Sequence, residues 1–295
     1  MRKILSMALA GVLMCVCMVV FSGCSDKSLY SYDNADAYVS GGTTLELTEL
    51  QAIDIDWICG NVTVEVVEDI TQVVVEETSR YAILEDEELR YNLSEEGILT
   101  IKFRASSEKK VNLNKEKDLH IKLPRAKFIK GNLVVNSVSS DVYLNRIEPG
   151  KINVTSVSGE VTVINSKTSM VEITSVSGDV NLKNSSLYDL RVDSTSGNVN
   201  GVDLTVDKLK FKSVSGVFNV AVLTAPMSIT ADSVSGDMIF SMPTDKGFSA
   251  YFESVSGNLI SQFEVSKEDG KYIYLDGSYN YNFETVSANI SLIKK

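Results

Sequence analysis

Histidine is almost absent from this chain: His120 is the only one in 295 residues. Its scarcity removes multi-histidine metal sites and most histidine-based acid–base or nucleophilic catalysis. Basic charge is also short, with 28 Lys+Arg against 39 Asp+Glu and a formal net charge of −11. A polyanion lacks electrostatic attraction to phosphates, so no nucleic acid is expected as a partner and direct binding to anionic lipid is disfavoured. Aromatic residues supply only 8% of the chain, yet 44% of it is hydrophobic. That is too much apolar material for a disordered chain and enough for a core.

Cysteine is nearly as scarce, with four copies. Arg2-Lys3, an apolar run from Ile4 to Phe21 and then Ser22-Gly23-Cys24 have the layout of an export signal. Small residues just before a cysteine at the end of such a run resemble the bacterial lipobox. That resemblance implies a lipid-modified Cys24 as the mature N-terminus, with residues 1–23 removed and the rest of the chain outside the cytoplasm, held to a membrane by its acyl chains. Loss of Arg2 and Lys3 would take the net charge from −11 to −13. Cys15 and Cys17 would leave with the signal, so Cys59 stays alone and no internal disulfide is expected. Cys59 sits in a strand-like apolar stretch without a histidine nearby and reads as a small buried hydrophobe rather than a reactive thiol. Residues 24–43 are rich in Ser, Asp, Asn, Tyr and Gly without periodicity and are expected to be a tether.

What the chain has in quantity is a repeat. Ser-Val-Ser-Gly-Asp/Asn/Glu or a close variant begins at Ser137, Ser156, Ser175, Ser194, Ser213, Ser233, Ser254 and Thr285, with steps of 19, 19, 19, 19, 20, 21 and 31. Trp57-Ile58-Cys59-Gly60-Asn61 aligns as a degenerate early copy. Four and two residues before the first Ser the chain is apolar, as in Ile152 and Val154 or Leu190 and Val192. Five and seven residues after it the chain is apolar again, as in Val161 and Val163. Alternation marks strands with one buried face, and the switch from even to odd positions requires a bulge or corner at the motif. The glycines Gly60, Gly159, Gly178, Gly197, Gly216, Gly236 and Gly257 are the expected corner residues, since glycine tolerates unusual backbone angles.

Nineteen residues are too few for a crossover helix, and no 3.6-residue period runs through the repeats. The expected fold is all-β: a parallel β-solenoid of 19–21 residues per repeat, with an antiparallel meander or sandwich as the alternative. Residues 44–130 form a β-rich N-terminal portion and residues 131–295 the repeat region with a C-terminal cap, the two making one continuous β unit. The long last step, the Asp276-Gly277 turn signal and the closing Lys294-Lys295 fit capping of an open strand edge. Charge runs such as Glu85-Asp86-Glu87-Glu88 read as solvated loops.

Several residue sets invite a chemical reading. Stacked serines are not nucleophiles without a base, and serve better as corner hydrogen bonds. The column after the glycine reads Glu160, Asp179, Asn198, Val217, Asp237, Asn258; Val217 interrupts it, so turn-forming Asx residues explain it better than calcium. The residue before the motif is acidic at Asp232 and Glu253, and sequential stacking would put these about 5 Å apart, near the spacing of a retaining glycosidase pair. Tyr272, Tyr274, Tyr279 and Tyr281 suit either a ligand platform or aromatic pairs that hold a cap hairpin.

The segments Asp54 to Val62, Leu119-His120-Ile121-Lys122-Leu123-Pro124, the Ser-Val-Ser-Gly repeats and the ending from Gly277 to Asn289 together resemble the bacterial putative-adhesin β-repeat family, whose function is unknown. Ala288 stands where that family usually has glycine in its last copy. The resemblance implies a β-solenoid-like fold on the outside of a bacterial cell and supplies no catalytic residue. Taken with the residue sets above, the expectation is a non-enzymatic surface or envelope protein, without catalytic residues, metal or cofactor, whose partners are envelope components or host-surface ligands. A role in envelope-stress sensing, through an antimicrobial peptide or a membrane signalling partner, is the alternative; a polysaccharide-active enzyme is a more distant one.

Overall fold

The computed structural model describes residues 30–107 and 111–295. Their regular structure is β-strand apart from two short 3-10 turns. The described chain divides into two compact units that meet in sequence at Thr168/Ser169.

The N-terminal unit holds β1 (Val39–Ser40), β2 (Thr43–Leu45), β3 (Leu50–Val66), β4 (Val73–Thr78), β5 (Arg90–Leu93), β6 (Ile98–Lys102), β7 (Asp118–Leu123), β8 (Ile129–Asn145), β9 (Lys151–Ser156) and β10 (Val161–Ile164). β3 runs through the early motif and pairs in parallel with β8 along one edge, with Ile53 opposite Leu133 and Gly60 opposite Ser140. Its other edge pairs in parallel with β6 and β7. β8 passes the register on to β9 and β10, also in parallel. The first coil in sequence is therefore second in the stack, between its own successors. On the outer side β5 and β4 close the edges of β6 and β7 with antiparallel pairs. The inward residues Leu99, Ile101, Leu119, Ile121 and Leu123 are completely buried.

The stretch expected as a tether is partly docked on this unit. Tyr30 forms a bridge to Ser107, its hydroxyl accepts the Phe103 N–H at 2.8 Å, and Tyr32 donates to the Arg104 carbonyl. β1 adds to β5. Aromatic side chains hold these residues down, since Tyr30 meets Tyr32 and Phe103 edge to face.

The C-terminal unit holds β11 (Lys167–Ser175, which starts at the boundary), β12 (Val180–Lys183), β13 (Ser186–Ser194), β14 (Val199–Ser213), β15 (Phe218–Val222), β16 (Ser228–Ser233), β17 (Met238–Met242), β18 (Phe248–Ser254), β19 (Leu259–Ser261), β20 (Ser266–Glu268), β21 (Lys271–Tyr274), β22 (Tyr279–Thr285) and β23 (Ile290–Lys294). Strands that precede the motif stack in parallel in the order β13, β14, β16, β22, β18. Those that follow it stack as β12, β14, β15, β17, β23, β19. Repeat strands in both units are parallel, so the architecture is a β-solenoid and the antiparallel meander is excluded.

Stacking order departs from sequence order at the end of the chain. The final coil, β22 and β23, lies between the coil of Ser233 and the coil of Ser254. Lys294 and Lys295 thus belong to an interior coil, and Lys295 ion-pairs with Asp203. They do not close an edge, because the chain reaches the outermost coil first and returns through β20 and β21.

At each corner the first Ser and the Gly face inward while the two residues between them face out, which produces the switch in parity. Ser156 is 1% exposed, for example, and Val161 is fully buried. Like residues then meet like across coils, and the interior carries an aromatic run: Phe211 stacks on Phe218 at 4.7 Å, and Phe240 lies between Phe211 and Phe283. A second periodic corner lies nine residues after the first Ser. Arg146, Asn165, Asn184 and Asp203 all take left-handed backbone angles there, φ +49° to +58°. Asn and Asp adopt that region most readily after glycine.

Candidate functional site

Most hydroxyls in the motif are engaged in hydrogen bonds, although those of Ser140 and Thr195 are buried without a partner. The first residue of each motif donates to the carbonyl three positions on: Ser137 to Ser140, Ser156 to Gly159, Ser175 to Gly178, Ser194 to Gly197, Ser213 to Gly216, Ser233 to Gly236 and Thr285 to Ala288, at 2.7–3.1 Å. The outermost copy differs: Ser254 accepts the Gly257 N–H instead. The second serine donates to the neighbouring coil, as Ser196 does to the Val176 carbonyl and Ser287 to the Val234 carbonyl. Each such bond contributes about 1 kcal/mol, and none leaves a hydroxyl activated as a nucleophile.

The column after the glycine is a ladder of caps. Asp141 accepts the backbone N–H of Glu160, Asp179 that of Asn198, Asn198 that of Val217, Asp237 that of Asn289 and Asn289 that of Asn258, at 2.7–3.1 Å. Asp and Asn recur because an oxygen is needed at that point, while Val217 only donates its backbone and needs no side-chain oxygen. Among the described residues no group of three or more His, Cys, Asp or Glu could hold a metal ion.

The glycines are required by contact more than by torsion. Gly60 alone of the motif glycines has a left-handed φ, +97°, and a Cβ there would lie 2.2 Å from the Lys117 carbonyl oxygen. Gly159, Gly197, Gly216, Gly236 and Gly257 lack positive φ, but a Cβ on any of them would come within 1.8–2.0 Å of the carbonyl oxygen of the adjacent coil. Gly178 supplies the carbonyl that Gly197 approaches. Cys24 lies outside the described residues.

Asp232 and Glu253 are not neighbours. Asp232 is in register with Glu284, and Glu284 with Glu253, because the last coil is inserted between them. The glycosidase-like pair is thus excluded, and what exists is a column on the outer face in which Lys212 is followed by three acidic side chains. Burial and the Glu284 carboxylate raise the pKa of Asp232 above the usual range. Tyr251 donates to Glu253 and Asn282 to Glu284. Tyr274 and Tyr281 pack on Phe248 at 5.4 and 4.8 Å, and the Tyr281 hydroxyl donates to the Pro226 carbonyl. Tyr272 lies under Lys267.

A polar cluster in the N-terminal unit had no clear signal in the sequence. Lys117 is 4% exposed; it donates to Glu77 at 2.7 Å and to the Glu87 carbonyl, and sits over the rings of Trp57 and Phe103. Burial lowers its pKa against the opposing pull of Glu77. Arg104 pairs with Asp86 and Lys115 with Glu87 along a small open cleft bounded also by Ser79, Tyr81 and Ile83. Three residues of the acidic run at 85–88 serve as counter-ions to buried or half-buried cations, since Glu88 also pairs with Arg90. Cys59 is buried beneath this segment, its thiol donating weakly to the Lys115 carbonyl, and burial pushes its pKa up to about 11. A thiol so protonated is a poor nucleophile. His120, on β7, is in register with Glu76.

The parallel coils, the corner motif and the inserted last coil extend over most of the chain, and the Toastrack DUF4097 family profile matches residues 50–292. The chain belongs to that family. No curated protein is detectably similar in sequence. Among solved structures this Toastrack chain is similar to a putative adhesin from Bacteroides fragilis (14% identity, 85% of this chain and 96% of that one, TM-score 0.48). It is also similar to a putative adhesin from Parabacteroides merdae (11%, 86% and 92%, 0.48) and to a putative lipid binding protein from Parabacteroides distasonis (15%, 85% and 98%, 0.44).

Proposed function

We propose that this Toastrack chain is a non-catalytic interaction module outside the bacterial cytoplasm, held to a membrane by lipid on Cys24, and that its repeated outer columns bind envelope or surface partners. One observation carries the reading: most of the repeated hydroxyl and Asx groups are engaged in the fold, the first serine within its own corner and the second serine and the Asx residues between coils. A scaffold whose polar groups are committed in this way offers repeated surface rather than reacting atoms.

Two experiments test it. Cys24→Ser is expected to move the protein from the membrane to the soluble fraction, with the wild type carrying acyl chains by mass spectrometry; an unlipidated wild type, with the variant still membrane-bound, overturns the anchor. Deletion of the gene is expected to reduce attachment of cells to a surface. Unchanged attachment with altered sensitivity to antimicrobial peptides overturns adhesion in favour of envelope-stress sensing.

A further inference from the structure

The outermost coil of the C-terminal unit, β18 and β19, is unfinished. One edge pairs with β22 and β23. On the other edge β21 covers only Phe248 to Tyr251, and among the described residues no strand pairs with the stretch from Phe252 to Ser261. Phe252 and Leu259 face the core yet are only half-buried, whereas Phe283 and Ile290, beside them in the next coil, are completely buried. The outer coil of the N-terminal unit is different, with β4 and β5 over its edges. Nor does the β19 part of this edge carry the usual guards. Leu259, Ile260 and Ser261 include no charge and no proline, and Ile260 is 55% exposed.

The acidic column ends at this edge. Asp232, Glu284 and Glu253 stand in successive coils, and among the described residues none has a Lys or Arg within ion-pair distance. A strand added beyond β18 would place its own side chain about 4.8 Å from Glu253, as the next member of the column. Like charges stacked across strands repel, so a basic residue is the one that fits.

We propose that the open edge of β18 and β19 receives an extended segment of another protein as an added strand. The segment sets apolar side chains against Phe252 and Leu259 and a lysine or arginine in register with Glu253. Main-chain hydrogen bonds hold it and the basic residue selects it. A second copy of this chain docked through the same edge would bring another Glu253 to an already acidic column, which disfavours self-association. This deepens the proposed interaction role by naming a partner chemistry, and it is tested without any measurement of anchoring or attachment.

The chain's own repeat supplies a probe. A peptide of residues 210–221 matches Phe211 to Phe252, Lys212 to Glu253 and Phe218 to Leu259 when aligned on the motif. Binding of this labelled peptide to the full chain is read by fluorescence anisotropy, and protection of the Leu259 and Ser261 amides by hydrogen exchange. The expected result is saturable binding with slowed exchange at Phe252 to Ser261, weakened about tenfold by K212E in the peptide and several-fold by Glu253→Gln in the protein. Ile260→Lys, an exposed change that keeps the fold and adds a guard charge to the edge, should weaken it. Absence of binding, binding without protection at this edge, or equal affinity for the K212E peptide overturns the proposal. So does a concentration-dependent dimer that Ile260→Lys dissolves.

Discussion

Gly197→Ala isolates the contact that sets the distance between coils. The added methyl carbon would stand 2.0 Å from the Gly178 carbonyl oxygen and 2.7 Å from its carbon, both backbone atoms. Ordinary contact needs about 3.4 Å or more, so the coils must part by more than 1 Å at that point. Ser196 N–H to the Val176 carbonyl, 2.9 Å, and Val180 N–H to the Asn198 carbonyl, 2.8 Å, flank the corner. A displacement of that size would carry at least one such bond past useful length. Overpacking costs about 1–3 kcal/mol and a lost hydrogen bond about 1 more, giving a loss near 3 kcal/mol and a fall in Tm of about 10 °C. Far-UV circular dichroism melts measure it, and faster amide exchange at the corner locates it. Gly270→Ala is the control, with nothing within 4 Å of the added carbon but a φ of +79°, and should cost only about 1 kcal/mol. A Gly197→Ala protein within 0.5 kcal/mol of its parent would refute contact as the reason for glycine.

Other substitutions probe groups hidden from the sequence. Glu77→Gln leaves Lys117 buried without a counter-charge and should cost about 3 kcal/mol or more, seen in denaturant unfolding through the fluorescence of Trp57, the only tryptophan; a loss under 1 kcal/mol would show that the pair is not desolvated. Ser140 occupies a glycine position in the motif and its buried hydroxyl has no hydrogen-bond partner, so Ser140→Ala should stabilise by about 1 kcal/mol in the same assay, and a loss would contradict the missing partner. Asp232→Asn should stabilise by about 0.5 kcal/mol at pH 7, since the carboxylate is partly buried and stands beside Glu284, which together outweigh the pull of Lys212 in register on its other side. The raised pKa of Asp232 means that the folded chain holds this proton more tightly than the unfolded one, so its stabilising contribution is full below about pH 3.9 and is lost as pH rises through the raised value. The advantage of the Asn variant should therefore vanish at pH 3, and an equal gain at both pH values would point to some other cause.

Parallel coils were legible because the constraint acts on every copy. Register stacking repeats Ser at 137, 156, 175, 194 and 213 with a 19-residue step, and a single chain shows the period without relatives to compare. The second corner left a fainter trace. Asn165, Asn184 and Asp203 announce a left-handed position, but Arg146 occupies the same place, so the pattern is broken in one copy out of four. Lys117 left none. A lysine among Lys115, Glu116 and Asp118 has the composition of a solvated loop, and its burial follows only from Trp57 and Phe103 closing over it from distant strands.

The order of coils was hidden for a different reason. Local sequence fixes which residues face inward within a coil, and every coil of the family pattern presents nearly the same edges to its neighbours. Any coil can therefore pair with any other, and the motif itself does not say which does. What selects the order is connection length: the 31-residue step before Thr285 leaves enough chain for the β20–β21 hairpin to pass the outermost coil and bring β22 back inside it. Asp232 and Glu253 lost their apparent pairing for that reason. The same interchangeability gives the open edge at β19 its meaning, because an edge built to accept a coil in standard register will accept an added strand whose apolar residues and charge satisfy Phe252, Leu259 and Glu253.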